Sequence, residues 1–153
     1  MASWADLLGV LEESTTLTLA TLDADGTPRA TPLYFAVEAT PEDGEAPFAF
    51  LFLSDPSSFH IRNLERDPRS AVALYPSETD WRRLRGAQAK GRTEAVAEDE
   101  RETAMAVYRS KVSAVEDVPE AVAHSRLYRF LPTWIRCIDN RKGFGRHEEW
   151  TWP

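Results

Sequence analysis

Ser58, His60 and Arg62 stand just past the abrupt end of an apolar run, and residues of these types at this spacing could seat a phosphate. The run Phe50-Leu-Phe-Leu53 stops at Ser54-Asp55-Pro56, and a serine-rich turn leads into a short helix predicted over 57–66. Asp67-Pro68 stops that helix after Asn63-Leu64. Backbone N–H groups at a helix start point outward, and the helix dipole favours an anion there. Serine hydroxyls add donors, and an arginine or a protonated histidine adds charge. The plainer reading is a strand–turn–helix corner in which Ser57 or Ser58 only caps the helix.

Other chemistry is poorly served. Gly-x-Ser-x-Gly, His-Glu-x-x-His, Walker A and Gly-x-Gly-x-x-Gly patterns do not occur. His60, His124 and His147 are too scattered to bind a metal together, so no metal site is expected. The lone cysteine, Cys137, sits among apolar residues and reads as a small core side chain. Glu148 and Glu149 are neighbours on a predicted strand and face opposite ways, which is poor geometry for paired acid–base work.

The surrounding elements must position the phosphate-type residues. The spacing of Trp4, Leu7, Leu8 and Leu11 predicts a first helix, with Ser3 and Asp6 as a capping box. Thr16 to Leu22 alternates strictly, as a half-buried strand does, and Asp23-Ala-Asp-Gly26 signals a hairpin turn. Arg29 to Glu38 reads as one strand, with Pro32 marking an edge or bulge, and 39–47 as a polar loop. Phe48–Ser54, Ser70–Tyr75, Leu84–Ala97 and Arg126–Ile138 follow as strands, with Gly86, Gly91 and Pro132 as bends or bulges. Helical periodicity covers 98–112, Pro119–His124 adds a helical turn, and Glu148–Trp152 closes the chain as a short strand.

These elements predict a mainly β fold: a six-stranded antiparallel barrel with a few peripheral helices, one domain over residues 1–153. Apolar residues make up 42% of 153, enough for a core without disulfides. One cysteine, no signal-like N-terminus and no apolar run near the ~20 residues of a membrane span point to the cytoplasm. A net charge of −7 argues against nucleic acid as a partner. Within that acidic chain, residues 82–92 carry Arg82, Arg83, Arg85, Lys90 and Arg92 and no acid, a strip suited to a small anion.

The order of short motifs carries a resemblance. It runs Gly26-x-Pro28, Thr31-Pro-Leu-Tyr34, Phe52-Leu-Ser-Asp55, Ser58-x-His60, Asn63-Leu64, Asp67-Pro-Arg69, Arg85-Gly-x-Gln88-x-x-Gly91 and Glu149-Trp150. This resembles the pyridoxamine 5′-phosphate oxidase-like family of FMN-binding split barrels over nearly the whole chain. The ending Asp139-Asn140…Gly143-Phe-Gly145 looks like its small bacterial members rather than the oxidase proper.

The resemblance implies a split barrel of the FMN-binding type. It also implies a homodimer with the cofactor at the subunit interface. Thr31, Pro32, Leu33 and Tyr34 would pass the flavin, with Thr31 where the oxidase has a phosphate-binding arginine. Leu53 and Ser54 would touch the flavin. Ser58 and His60 would grip its phosphate beside Asn63, with Arg62 or Arg85 adding charge. Gln88 would approach the ring, and Trp150 would border it from the partner subunit. The oxidase continues past its terminal tryptophan into an Arg-Leu-His segment that grips pyridoxal phosphate, whereas this chain stops at Pro153. The implied function is an FMN-dependent oxidoreductase of unknown substrate. The alternatives are a non-catalytic flavin-binding or stress-related module, or the same barrel holding a deazaflavin or haem.

Overall fold

The computed structural model describes residues 2–40 and 46–153. Helix α1 (Trp4–Glu13) precedes β1 (Thr16–Leu22), β2 (Pro28–Tyr34), β3 (Ala36–Ala39) and β4 (Phe48–Ser54). Helix α2 (Phe59–Arg66), β5 (Arg69–Leu74), β6 (Arg85–Ala95), α3 (Arg101–Lys111), α4 (Pro119–His124), β7 (Arg126–Asp139) and β8 (His147–Thr151) complete the chain. Among these, no helix is long and apolar enough to cross a membrane.

The expected capping box starts α1: the Ser3 N–H donates to Asp6 Oδ2 at 2.7 Å, and the Asp6 N–H donates to Ser3 Oγ at 3.3 Å. The helix lays Leu7, Val10 and Leu11 onto the barrel. The strict alternation of β1 buries Leu17, Leu19 and Thr21, while β4 is buried at all positions but Leu53.

The strands run in the order β2-β1-β5-β6-β7-β4-β3, all neighbours antiparallel, and β8 adds to β7. The barrel therefore has eight strands rather than the six expected. One reason is Phe35. The run predicted as a single strand over 29–38 changes partner there, pairing with β1 before it and with β4 after it. β2 and β3 are the two ends of the strand order, and this fully buried pivot joins them although no ladder pairs β2 with β3 among the described residues. The other reason is β8, the expected short closing strand, which joins the sheet by pairing with Trp134–Ile138.

Strand β7 carries the split. β6 follows one side of it from Tyr128 to Asp139. On the other side β4 covers Arg126–Phe130 and β8 covers Trp134–Ile138. Pro132 falls in the gap between those two ladders and faces Gly91, where the β6 register shifts. Gly86, by contrast, stays in register with Ile138 and makes no bulge. Pro32 lies on edge strand β2, as its missing N–H demands.

The barrel interior is built from Phe35, Phe48, Phe50, Phe52 and Phe130 with the leucines of α1 and β1. A smaller core forms where Ala104, Met105 and Tyr108 of α3 pack on Ala36, Leu51 and Leu127. Of the polar loop predicted over 39–47, residues 41–45 lie outside the described residues.

Candidate functional site

Strand β4 delivers Ser54 to the start of α2 through a tight turn built on Asp55. The Ser57 N–H and Oγ both donate to Asp55 Oδ1 at 2.7 Å, and Ser58 Oγ donates to the Asp55 carbonyl at 2.7 Å. Ser58 is the N-cap residue, yet its side chain makes no capping bond to the helix, which leaves first-turn N–H groups without a side-chain partner. His60 Nε2 lies 2.5 Å from Ser54 Oγ and 3.4 Å from Ser58 Oγ. Burial, and then the Arg29 guanidinium, push the His60 pKa below its usual value. The ring is thus a neutral hydrogen-bonding group rather than a standing cation.

Arg29 is the main residue that sequence reasoning did not place at the site. On β2, Arg29, Thr31 and Leu33 share the half-buried face, while Pro32 and Tyr34 lie on the exposed one. The Arg29 guanidinium donates to Asp23 from Nε at 2.7 Å and from Nη2 at 3.0 Å. Its central carbon stands 4.6 Å from the centroid of the Phe59 ring. Arg29 and then the Asn63 amide hold the Asp23 carboxyl below the usual carboxylate range.

Asn63 is committed to structure. Its Nδ2 donates to Thr21 Oγ1 at 3.1 Å and to Asp23 Oδ1 at 2.7 Å, and its Oδ1 accepts from Arg66 at 2.8 Å. It pins α2 across the β1–β2 turn. Arg62 is exposed one helical turn away from the capping end, and its guanidinium has no partner among the described residues.

Two recesses open at the two ends of β2. One, of about 370 Å³, is bounded by Arg29, Phe59, Arg62 and Arg66 with Asp23 and Asp25. The other, of about 400 Å³, is bounded by Tyr34, Tyr108, Lys111, Val112, Val115 and Val118. Leu53 and Tyr34 both act on Tyr108 of the second recess: burial pushes the Tyr108 hydroxyl up to about 12, opposed by a backbone hydrogen bond at Leu53.

Lys111, at the end of α3, is the charged group of the second recess. Its Nζ donates to the Leu11 carbonyl at 3.0 Å and lies 3.7 Å from the Phe35 ring centroid. No carboxylate among the described residues forms an ion pair with it. Burial pulls its pKa from 10.5 down to about 8, with Glu12 acting weakly the other way. Between those two values the unfolded chain holds a proton that the folded chain has released. Stability is therefore expected to rise with pH across that window. Urea midpoints at pH 7.5 and 10 should show wild type gaining on Lys111→Met; a pH-independent gap would contradict the assignment.

The remaining candidates lie elsewhere. Arg85 is ion-paired with Glu13 of α1 and does not line either recess. Gln88 is exposed on β6 opposite Arg136. Trp150 packs edge-on against Trp4, with centroids 5.3 Å apart at 78°, so within one chain it belongs to an aromatic cluster on α1. The basic strip over 82–92 is largely taken up by local partners. Arg82 pairs with Asp80, Arg83 with Glu78 and Arg92 with Glu94, and Lys90 sits over the Trp134 ring. Burial pushes the Cys137 thiol up to about 11, which makes it inert. Among the described residues no cluster of three His, Cys, Asp or Glu side chains could hold a metal.

No curated protein matches the chain. Among solved structures, it resembles a heme binding protein of Mycobacterium smegmatis at 24% identity and a TM-score of 0.76, over 99% of this chain. The chain spans 59% of the length of that protein. A conserved hypothetical protein of Mycobacterium tuberculosis is 26% identical with a TM-score of 0.74, covering 93% of this chain and 88% of that one. An FAD-binding protein of Mesorhizobium loti is 21% identical with a TM-score of 0.65, covering 88% of this chain and 92% of that one. The family model described as pyridoxamine 5′-phosphate oxidase matches residues 5–138, from α1 to the end of the β7 ladder, and so takes in β2, α2 and both recesses. On that match the chain belongs to the pyridoxamine 5′-phosphate oxidase family.

Proposed function

We propose that residues 1–153 form one flavin-binding unit, an oxidoreductase of the cytoplasm that holds the FMN part of a flavin and works as a homodimer. The observation that carries this reading is the pair of recesses at opposite ends of β2. One end offers an anion seat and the other a largely apolar cavity with a single amine. Arg29 and Tyr34 are five residues apart, about 17 Å in an extended strand, and point to opposite faces of β2, so a cofactor reaching both recesses would run along the Arg29 face and turn round the end of the strand. That length suits an extended flavin mononucleotide.

The donor set fits its phosphate. The α2 N-terminus, Ser58, His60 and Arg29 would hold it, with Arg29 able to present two parallel N–H donors. Thr31 and Leu33 would follow the chain of the cofactor, Ser54 would stand at the phosphate end beside His60, and Leu53 and Tyr34 would meet the ring end. Arriving phosphate charge would favour protonation of His60, reversing the effect of burial. A bound flavin supplies the redox chemistry, which asks little acid–base work of the protein. Lys111 and the Tyr108 hydroxyl would orient a small anionic or polar substrate, and Val112, Val115 and Val118 would keep water from it. Gln88 and Trp150 would reach the cofactor only from a second copy.

The haem reading draws on the printed name of the mycobacterial relative. It is less well served by the residues, because neither recess is lined by a histidine that could ligate an iron. To separate an oxidoreductase from a passive flavin carrier, the loaded protein is reduced chemically under anaerobic conditions and then exposed to quinone and oxygen acceptors. Reoxidation several times faster than free reduced flavin supports an oxidoreductase. Reoxidation no faster with any acceptor would leave the carrier reading.

A further inference from the structure

The recess beside α2 is more than a phosphate seat. At about 370 Å³ it falls in the ~300–1,000 Å³ range of small-molecule sites. Its most unusual wall is Phe59, which is 65% exposed on the first turn of α2. Arg29 covers the ring from 4.6 Å. The ring belongs to neither hydrophobic core, so apart from Arg29 it is open to a ligand.

The charges of the recess have a surplus. Asp23 is neutralised by Arg29, and Asp25 accepts from the Thr27 N–H at 2.9 Å. Arg66 spends its donors on the Leu22 carbonyl and Asn63. Arg62 remains, without a partner among the described residues, three positions past Phe59 and on the same recess. A second phosphate beyond the first would meet it. A flat base would meet the Phe59 ring, and the Asp25 carboxylate could accept from a ribose hydroxyl or a base amino group.

We propose that this recess seats the adenylate half of a flavin dinucleotide, with the base on Phe59 and the outer phosphate on Arg62, so that the chain prefers FAD to FMN. The inference rests on the flavin reading above and adds to it which flavin the site selects.

Cofactor-free protein is titrated with riboflavin, FMN and FAD, following flavin fluorescence. FAD is expected to bind roughly tenfold more tightly than FMN, the usual scale of a base–aromatic stack. Phe59→Ala should cancel that advantage, and Phe59→Trp should restore it. Because Phe59 also steadies Arg29, the readout is the ratio of FAD to FMN affinity, and circular dichroism of both variants reports an intact fold. Equal affinity for FMN and FAD in wild type, or an FAD advantage untouched by Phe59→Ala, would overturn the proposal and leave the flavin reading standing. Failure of all three flavins to bind would overturn both.

Discussion

Arg29→Ala is expected to weaken FMN binding roughly 30- to 150-fold, about 2–3 kcal/mol, the scale of a charge-assisted contact to phosphate. Two features make this residue count for more than the other arginines. Its guanidinium is already held in place by Asp23 and the Phe59 ring, so little side-chain freedom is lost when an anion arrives. It is also the cation that His60 feels, which places it at the same seat. Arg29→Lys keeps the charge but not the planar fork, and should recover only part of the loss. Asp23→Asn removes the competing carboxylate and should leave affinity equal or improved. Flavin fluorescence quenching measures all three. An Arg29→Ala protein that is folded and binds FMN as wild type does would remove Arg29 from the site.

Gly91→Ala is expected to be the most damaging small substitution in the barrel. A Cβ at this position would lie 2.0 Å from the Leu131 carbonyl oxygen and 2.9 Å from Pro132 Cα. Both are backbone atoms, so no side-chain rotation relieves the clash, and the strand itself must move. The site is also where the β6 register shifts against β7, opposite the gap between the β4 and β8 ladders. Overpacking of this kind costs about 3 kcal/mol or more, which for a chain of this length lowers Tm by roughly 10 °C. Thermal unfolding followed by circular dichroism checks it. A Tm within a degree or two of wild type would mean that β6 and β7 part easily here.

Local rules made much of this fold legible. Ser3 and Asp6 announced the start of α1, the alternation of Thr16–Leu22 announced β1, and the stop at Ser54-Asp55-Pro56 announced the turn into α2. What stayed hidden is what depends on a distant partner. Nothing within Arg29–Glu38 signals that pairing passes from β1 to β4 at Phe35, because hydrogen-bond partners are chosen by strands elsewhere in the chain. Arg29 went unnoticed for a similar reason. It reads as one more charge on an edge strand until α2, some thirty residues later, lays Phe59 and His60 beside it. Lys111 sits in the last turn of α3, where a lysine is ordinarily solvated, and only the packing of α1 and Phe35 buries it. The ordered motifs were informative about the family because they recur as a set. They were less informative about single contacts: Asn63 spends its amide on the β1–β2 turn, and Arg85 is bound to Glu13 and lines neither recess.

The central claim is that a flavin lies along β2 with its phosphate at Arg29 and Ser58. Its most direct test is an equilibrium titration of cofactor-free protein with FMN, read in the visible absorption band, beside a parallel titration with haemin. A saturable one-to-one change in the flavin band, lost in Arg29→Ala and not matched by haemin, is the predicted result. An unchanged flavin band, with haemin bound one-to-one instead, would contradict the account.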